Sequence, residues 1–333
     1  MRSIARLLVA ALMVVPAVAA PLPAPTALAR GADVCPEPND SLQSSCYLGA
    51  ASDAIGFISR PDDVDAYRIE VLDFRVDAHI ELAERPLPYR VSVANWNGEI
   101  LATGNEGVLD VKLGPPGAYY ILVDSLNGQF SDGAAYRLSR QLRYPGSKIP
   151  DILYSNEFRN GAVPDQSVTE DADYIDDGGK FIIKVKSPAA PGQSKGSVSV
   201  WGPELTDFTL TVDARMEAAG EAGYHVIFRQ TGNDAYAVIM HSSGALALGK
   251  LVGGTTQILG IALPETPDAG VRINRITVRC FKDDIRVVSN GKEVIRVKDA
   301  TLKAGRFGFG AITNGPPPTI IFDNIIATTP AEG

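Results

Sequence analysis

The chain has 333 residues and a formal net charge of −8, with 45% hydrophobic and 21% charged residues. This balance is typical of folded globular proteins and argues against intrinsic disorder. An acidic chain without a basic cluster is a poor ligand for nucleic acids and anionic lipids, so both partners are excluded.

The N-terminus, residues 1–29, has the pattern of an export signal. Arg2 and Arg6 precede a short apolar run, Leu7–Ala20, which is too short to span a bilayer comfortably. Cleavage after Ala20 and cleavage after Ala29 both fit the small residues that follow. No later segment approaches the length of a membrane span. We therefore expect an exported mature protein, periplasmic or extracellular, with no transmembrane segment.

Two of the three cysteines, Cys35 and Cys46, flank a short acidic loop. In an oxidising compartment, cysteines this close in sequence are expected to form a disulfide. A loop of this size would contribute about 2–3 kcal/mol by restricting the unfolded chain. The third, Cys280, lies in the alternating segment RITVRCF. We expect it to be a small buried hydrophobic residue, not a nucleophile.

Residues 35–142 have the pattern of consecutive strands. YRIEVLDFRVDAHIEL, YRVSVAN and AYYILVDS alternate apolar and polar residues. Asn97 and Gly98 predict a hairpin between two of these strands. At residues 143–150, RYPGSKIP, two prolines and a glycine interrupt the pattern and predict a linker.

A second series of strands fills residues 151–330 and includes DFTLTVDARM, YHVIFRQ and DIRVVSNGKEVIRV. Asn290 and Gly291 predict another hairpin. Strands that recur about every 8–12 residues, with turn residues between them, favour antiparallel sandwiches over βαβ units. The sequence therefore predicts an all-β protein made of two different antiparallel β-sandwiches (jelly rolls) in tandem.

Five segments of the first half resemble the bacterial pre-peptidase C-terminal domain, in that family's order: EPND, GFISRPDDVDAYRIEV, NGEILAT, GAYYILVDS and AYRLS. The resemblance covers residues 35–142. It implies a small jelly-roll β-sandwich, usually an accessory to a secreted enzyme. Some members of the family bind calcium through the acidic N-terminal segment and the Asp-rich turn.

The second half, residues 151–330, resembles the concanavalin A-like jelly rolls, near the laminin-G-like and 3-keto-disaccharide hydrolase-type domains of exported bacterial proteins. The matching segments include DFTLTVDARM, GYHVIFRQTGNDAYAVIM, AGRFGFGA and FDNI. These segments specify strands and turns more than chemistry, so function transfers weakly along the resemblance.

Clustered acidic residues in the first half predict a calcium site, since Ca²⁺ takes six to eight oxygen ligands. The Cys35–Cys46 loop supplies Glu37, Asn39 and Asp40, and the turn PDDVDAY supplies Asp62 and Asp65. The resemblance implies that the loop lies against that turn. The alternative is that these side chains only cap turns and bind no metal.

The second half offers candidate ligand-binding residues but no paired catalytic acids. Tyr224, Arg229 and Tyr236 lie on adjacent predicted strands, and Trp201 ends a strand, so these four are candidates for a concave binding face. A glycoside hydrolase needs two carboxylates flanking a cleft. Asp213 and the other acids cannot be paired from the sequence.

We therefore predict an exported, non-catalytic protein that binds a carbohydrate or another cell-envelope component. Its first domain would be an accessory module stabilised by calcium. Two alternatives remain open: a sugar-active hydrolase or lyase of the jelly-roll type, and a purely structural or adhesive surface protein.

Overall fold

The computed structural model describes residues 33–49, 53–145, 149–156, 171–177, 180–190, 192–218, 220–264 and 272–330. The predicted export signal lies outside these residues. The chain divides into two compact units, of which the first contains Pro23–Ile149 and the second contains Pro150–Gly333. All regular structure in the described ranges is β-strand, which confirms the all-β class. In those ranges no helix is long and apolar enough to cross a membrane.

The first unit has two five-stranded sheets among its described residues. Its strands are β1 (Asp33–Val34), β2 (Cys46–Tyr47), β3 (Ala54–Gly56), β4 (Val64–Val71), β5 (Val76–Ala83), β6 (Tyr89–Ala94), β7 (Ile100–Gly104), β8 (Val108–Leu113), β9 (Gly117–Ser125) and β10 (Tyr136–Arg143). Sheet A has the order β1-β3-β10-β5-β8, and sheet B has the order β2-β4-β9-β6-β7. Neighbours are antiparallel except for two short parallel pairs, β1 with β3 and β2 with β4.

Strict alternation along the strands builds the core between sheets A and B. In β5, Val76 and Ile80 point into the core while Asp77 and Glu81 are exposed on the outer face. The predicted hairpin at Gly98 joins β6 to β7, and its φ of +79° is a conformation that glycine adopts without strain.

The second unit also has two sheets among its described residues. Its strands are β11 (Ile152–Asn156), β12 (Ala172–Asp176), β13 (Phe181–Val185), β14 (Lys195–Val200), β15 (Phe208–Glu217), β16 (Ala222–Thr231), β17 (Asp234–His241), β18 (Leu246–Val252), β19 (Thr255–Ala262), β20 (Asn274–Phe281), β21 (Asp284–Ser289), β22 (Lys292–Lys298), β23 (Arg306–Thr313) and β24 (Thr319–Thr328). Sheet C has the order β12-β13-β24-β15-β20-β21-β22, with β11 also paired to β24. Sheet D has the order β14-β23-β16-β17-β18-β19.

Sheets C and D enclose a second, larger apolar core. It includes Phe228 and Val226 from sheet D and Val212 from sheet C. Cys280 is buried in this core as a free thiol, as predicted. A two-residue turn joins β21 to β22, with positive φ angles at both central residues. This confirms the hairpin predicted from Asn290 and Gly291.

Candidate functional site

The acidic loop of the first unit lies against the turn that precedes β4. The predicted disulfide between Cys35 and Cys46 forms, with its Cα atoms 5.8 Å apart. The backbone N–H of Ala66 donates to the carbonyl of Asn39 at 3.0 Å, which attaches the loop to the start of β4. These two constraints bring the acidic residues of the loop and of the turn together.

Three carboxylates converge where the loop meets the turn. One oxygen from each of Glu37, Asp40 and Asp63 lies within 4.8 Å of the others. Two oxygens on opposite sides of a bound Ca²⁺ are up to about 5 Å apart, twice the usual bond length of about 2.3–2.6 Å. The spacing therefore fits one cation between the three side chains.

Four buried oxygens at this point have no hydrogen-bond partner among the described residues. They are the Oδ1 atoms of Asn39, Asp40, Asp63 and Asp65. The Oδ2 atoms of the three aspartates do accept hydrogen bonds. Arg60 donates to Asp40, and Tyr136 donates to Asp65. Ser59 donates to Asp63 twice, from its backbone N–H at 2.6 Å and from its hydroxyl at 2.8 Å. A buried acceptor without a hydrogen bond is costly, and a hard cation coordinated by the convergent carboxylates would offset part of that cost.

The local field is strongly negative. Burial raises the pKa of Asp65 to about 7 against the opposing hydrogen bond from Tyr136, and the charges of Glu37 and Asp63 add to the rise. The guanidinium of Arg60 contacts the cluster but supplies only one positive charge against four carboxylates. A divalent cation would remove this repulsion.

The structure corrects one of the five predicted metal ligands. The side chain of Asp62 is 84% exposed, its Oδ1 lies 3.2 Å from Nε of Arg60, and it is not among the three convergent carboxylates. The next residue, Asp63, is buried and takes its place. Consecutive residues in a turn point in different directions, so the sequence alone does not distinguish the two aspartates.

The donor set fits calcium better than a transition metal. Glu37, Asn39, Asp40, Asp63 and Asp65 offer carboxylate and amide oxygens only, which suit a hard cation. The nearest thiols, Cys35 and Cys46, are consumed by the disulfide. Five oxygen donors leave one to three positions for water or backbone carbonyls in a calcium site.

The four side chains predicted to line a binding face of the second unit lie in its interior instead. Trp201, Tyr224, Arg229 and Tyr236 are each less than 5% exposed. The ring of Trp201 lies 5.6 Å from that of Phe307, and the hydroxyl of Tyr236 donates to Asp299 at 2.6 Å. These contacts are those of core residues, which corrects the prediction of a ligand-binding role.

Arg229 shows why the prediction placed these residues wrongly. The pairing of β16 shifts register between Phe228 and Thr231, and Arg229 has a φ of +49° within this bulge. A bulge re-aims the side chain and breaks the two-residue alternation. The guanidinium donates to three backbone carbonyls, those of Thr206, Leu302 and Lys282, at 2.7–3.1 Å.

Asp213 is held in a buried ion pair. Its two oxygens accept from Nε and Nη2 of Arg275 at 2.7 and 2.8 Å, and Nδ2 of Asn324 donates at 2.8 Å. Both carboxylate oxygens of Asp213 are therefore occupied within the protein.

A polar cleft that the sequence did not reveal lies on the outer face of sheet A. It has a volume of about 450 Å³. Its polar side chains are Asp77, His79, Asp110, Lys112, Gln141 and Arg143. They form two rows across three strands, because His79 is opposite both Asp110 and Gln141, and Asp77 is opposite both Lys112 and Arg143. Nδ1 of His79 lies 2.8 Å from Asp110.

No model of a known protein family matches this sequence, and no curated protein matches it. The chain is similar to several solved structures. A carbohydrate-binding module from Bacillus subtilis is 16% identical over 44% of this chain and 95% of its own, with a TM-score of 0.36. A Bacillus subtilis protein of unknown function with a galectin-like fold is 14% identical over 54% of this chain and 96% of its own, with a TM-score of 0.43. The laminarinase catalytic domain from Thermotoga maritima is 12% identical over 55% of this chain and 99% of its own, with a TM-score of 0.41. Similarity at this level says nothing about substrate or activity.

Proposed function

We propose that this chain is an exported binding protein whose first unit is stabilised by one calcium ion. The observation that carries the proposal is the convergence of the Glu37, Asp40 and Asp63 carboxylates, together with four buried oxygens of this region that lack a hydrogen bond. The disulfide, which forms in oxidising compartments, supports export.

Calcium would add a link between the acidic loop and the turn before β4. Glu37, Asn39 and Asp40 belong to the loop, while Asp63 and Asp65 belong to the turn and to β4. An ion bound only by the folded state stabilises that state by mass action, by about 2.7 kcal/mol when free calcium is 100-fold above the dissociation constant. For a unit of this size we expect a rise in melting temperature of about 10–20 °C.

The test compares melting curves in calcium and in EGTA for two adjacent substitutions. Asp63→Asn should abolish most of the calcium-dependent shift, in addition to any loss of stability in EGTA from weaker hydrogen bonds with Ser59. Asp62→Asn is the matched control and should keep the full shift. A turn-capping role alone predicts no calcium-dependent shift in any variant or in the unaltered chain.

Recognition of a carbohydrate is a second candidate function, and the polar cleft of sheet A favours it. Sugar hydroxyls both donate and accept hydrogen bonds, and the cleft offers acceptors in Asp77 and Asp110 and donors in Lys112 and Arg143. A concave site with several convergent polar groups is a common form of small-ligand site.

A glycan array with the exported chain tests this second function. Replacing His79 and Arg143 by alanine should remove binding of any glycan that scores. Arg137→Ala is the control, because Arg137 lies on the same strand, β10, outside the cleft, near Asp53 and Glu84. Binding that survives the double substitution would refute the cleft as the site, and turnover of an oligosaccharide would favour the hydrolase or lyase alternative.

A further inference from the structure

The outer face of sheet C carries a row of three arginines. Arg279 on β20 lies opposite Arg286 on β21, and Arg286 lies opposite Arg296 on β22. All three are on the side away from the core, because the residues next to them in the sequence pack in the core. No run of basic residues in the sequence indicates this row, which the strand register assembles from three separate strands.

The arginine row opens to solvent toward the edge of the sheet. Thr209, which lies opposite Arg279 at the inner end of the row, is buried. Exposure then rises outward, from 27% for the side chain of Arg286 to 52% for that of Arg296. The strand that carries Arg296, β22, is the last strand of sheet C among the described residues. A ligand can therefore reach the row from this edge.

Basic residues outnumber acidic ones on these three strands. Apart from Arg275, which is paired with Asp213, the strands β20, β21 and β22 carry five basic and two acidic residues. The two acids are Asp284 and Glu293. The chain as a whole has a net charge of −8, so this excess is local. Because salt screens charges beyond about 8 Å at physiological ionic strength, a ligand at the row meets mainly the local charge.

Asp284 orients two of the three guanidinium groups. Its oxygens accept from Nε of Arg286 at 2.8 Å and from Nε and Nη2 of Arg296 at 2.9 and 3.2 Å. Glu293 lies 4.0 Å from Nη1 of Arg286, which is too far for a hydrogen bond. A guanidinium has five N–H donors, so both arginines retain donors that Asp284 does not use. Like charges directly opposite each other destabilise a sheet, and a bound anion would relieve that repulsion.

An exposed aromatic ring lies beside the arginine row. Phe281 follows Arg279 by two residues on β20, so the two share a face of the sheet, and Phe281 is 37% exposed. The amine of Lys282 lies 5.2 Å from the centre of the ring and adds another positive charge. An aromatic ring offers an apolar surface to the C–H face of a sugar, and a guanidinium binds carboxylate groups in pairs of hydrogen bonds. A phosphate polymer would use the cationic groups alone.

We propose that the arginine row binds a linear acidic polysaccharide, with its carboxylate or sulfate groups along the row and one sugar ring against Phe281. Three strands at about 4.8 Å spacing place the arginines along about 10 Å, so several anionic groups of one chain can bind together. The site lies in the second unit. It depends neither on the calcium site nor on the polar cleft of sheet A.

The test is isothermal titration of the exported chain with oligogalacturonate at low salt. The oligomer should bind saturably. Its fully methyl-esterified form, the same sugar without the charges, should bind at least about tenfold more weakly, as expected for the loss of two or more exposed ion pairs. Dextran sulfate against dextran makes the same comparison for sulfate and identifies which anionic group the row prefers. If neither charged polymer binds, or if each binds no better than its neutral counterpart, the proposal is overturned.

Paired substitutions locate the site on the row. Arg286→Gln with Arg296→Gln should weaken binding of the charged polymer about tenfold. Lys184→Gln with Arg215→Gln is the matched control, because it changes the net charge equally on β13 and β15 of the same sheet. Arg286→Lys with Arg296→Lys keeps the charge and should retain most of the affinity. Equal affinities for the two glutamine variants would overturn the proposal.

Phe281→Ala distinguishes a polysaccharide from any other polyanion. It should weaken oligogalacturonate binding at least about threefold and leave the weaker binding of polyphosphate unchanged. No effect of Phe281→Ala on the glycan, or polyphosphate that binds as tightly as the glycan, would overturn the assignment. EGTA should leave the affinity for the glycan unchanged, so failure of the calcium site and failure of this site are distinguishable.

Discussion

Removing Arg275 should be among the most destabilising single substitutions in the second unit. Its guanidinium is fully buried and makes two hydrogen bonds with Asp213, which is itself only 4% exposed. Replacing Arg275 by methionine leaves a buried carboxylate with one remaining side-chain donor among the described residues, Asn324. Loss of one partner of a buried pair typically costs about 3–5 kcal/mol.

The magnitude converts into a measurable change in melting temperature. For a unit of this length, 1 kcal/mol corresponds to about 2–4 °C, so Arg275→Met should lower the melting temperature of the second unit by about 6–20 °C. Replacing both partners, as in Arg275→Met with Asp213→Val, should cost less than either single change, because no uncompensated charge remains.

Urea unfolding of the single and double variants is the assay. The matched control is Arg215→Met, because Arg215 pairs with Glu217 at 2.6 Å on the same strand as Asp213, but both side chains are about half exposed. Loss of this exposed ion pair should lower the free energy of unfolding by less than about 1 kcal/mol. The reasoning is refuted if Arg275→Met costs no more than Arg215→Met, or if the double variant is as unstable as the sum of the singles.

Three further predictions concern other buried or paired groups. Burial raises the pKa of the Cys280 thiol to about 12, so it should resist a thiol reagent in the native protein and react once urea unfolds the second unit. Burial opposes ionisation of Asp299, but hydrogen bonds from Lys250, Thr301 and Tyr236 hold its pKa well below the usual range. Asp299→Asn should therefore destabilise the second unit above about pH 4, with a difference in unfolding free energy that shrinks as the pH falls further. Replacing Cys35 and Cys46 by serine should cost about 2–3 kcal/mol and also weaken calcium binding, since the loop carrying Glu37 and Asp40 loses its closure.

Local sequence patterns were enough to predict much of the fold. The alternation of apolar Val76 and Ile80 with polar Asp77 and Glu81 identifies a strand, because one side of each strand must face a core. The hairpin at Asn290 and Gly291 was predictable because few residue pairs adopt two positive φ angles in succession. The pairing of Cys35 with Cys46 followed from their proximity in a chain with an export pattern.

The details of the sites depended on three-dimensional facts that a sequence pattern does not contain. Asp62 and Asp63 are chemically identical neighbours, and only the turn geometry decides which of them is buried. A charged residue such as Arg229 and a polar aromatic residue such as Tyr236 are both common at binding faces. Here a bulge directs Arg229 into the interior, and Tyr236 is buried with its hydroxyl bonded to Asp299. The polar cleft of sheet A depends on strand order, because strand order decides which distant residues become neighbours.

The central claim, one calcium ion at the junction of the acidic loop and the turn, is tested most directly by isothermal titration of calcium into the chelator-treated chain. We predict saturable binding of one ion per chain, abolished by Asp63→Asn and retained by Asp62→Asn. The same heats for both variants, or no heat beyond dilution for the unaltered chain, would contradict the claim.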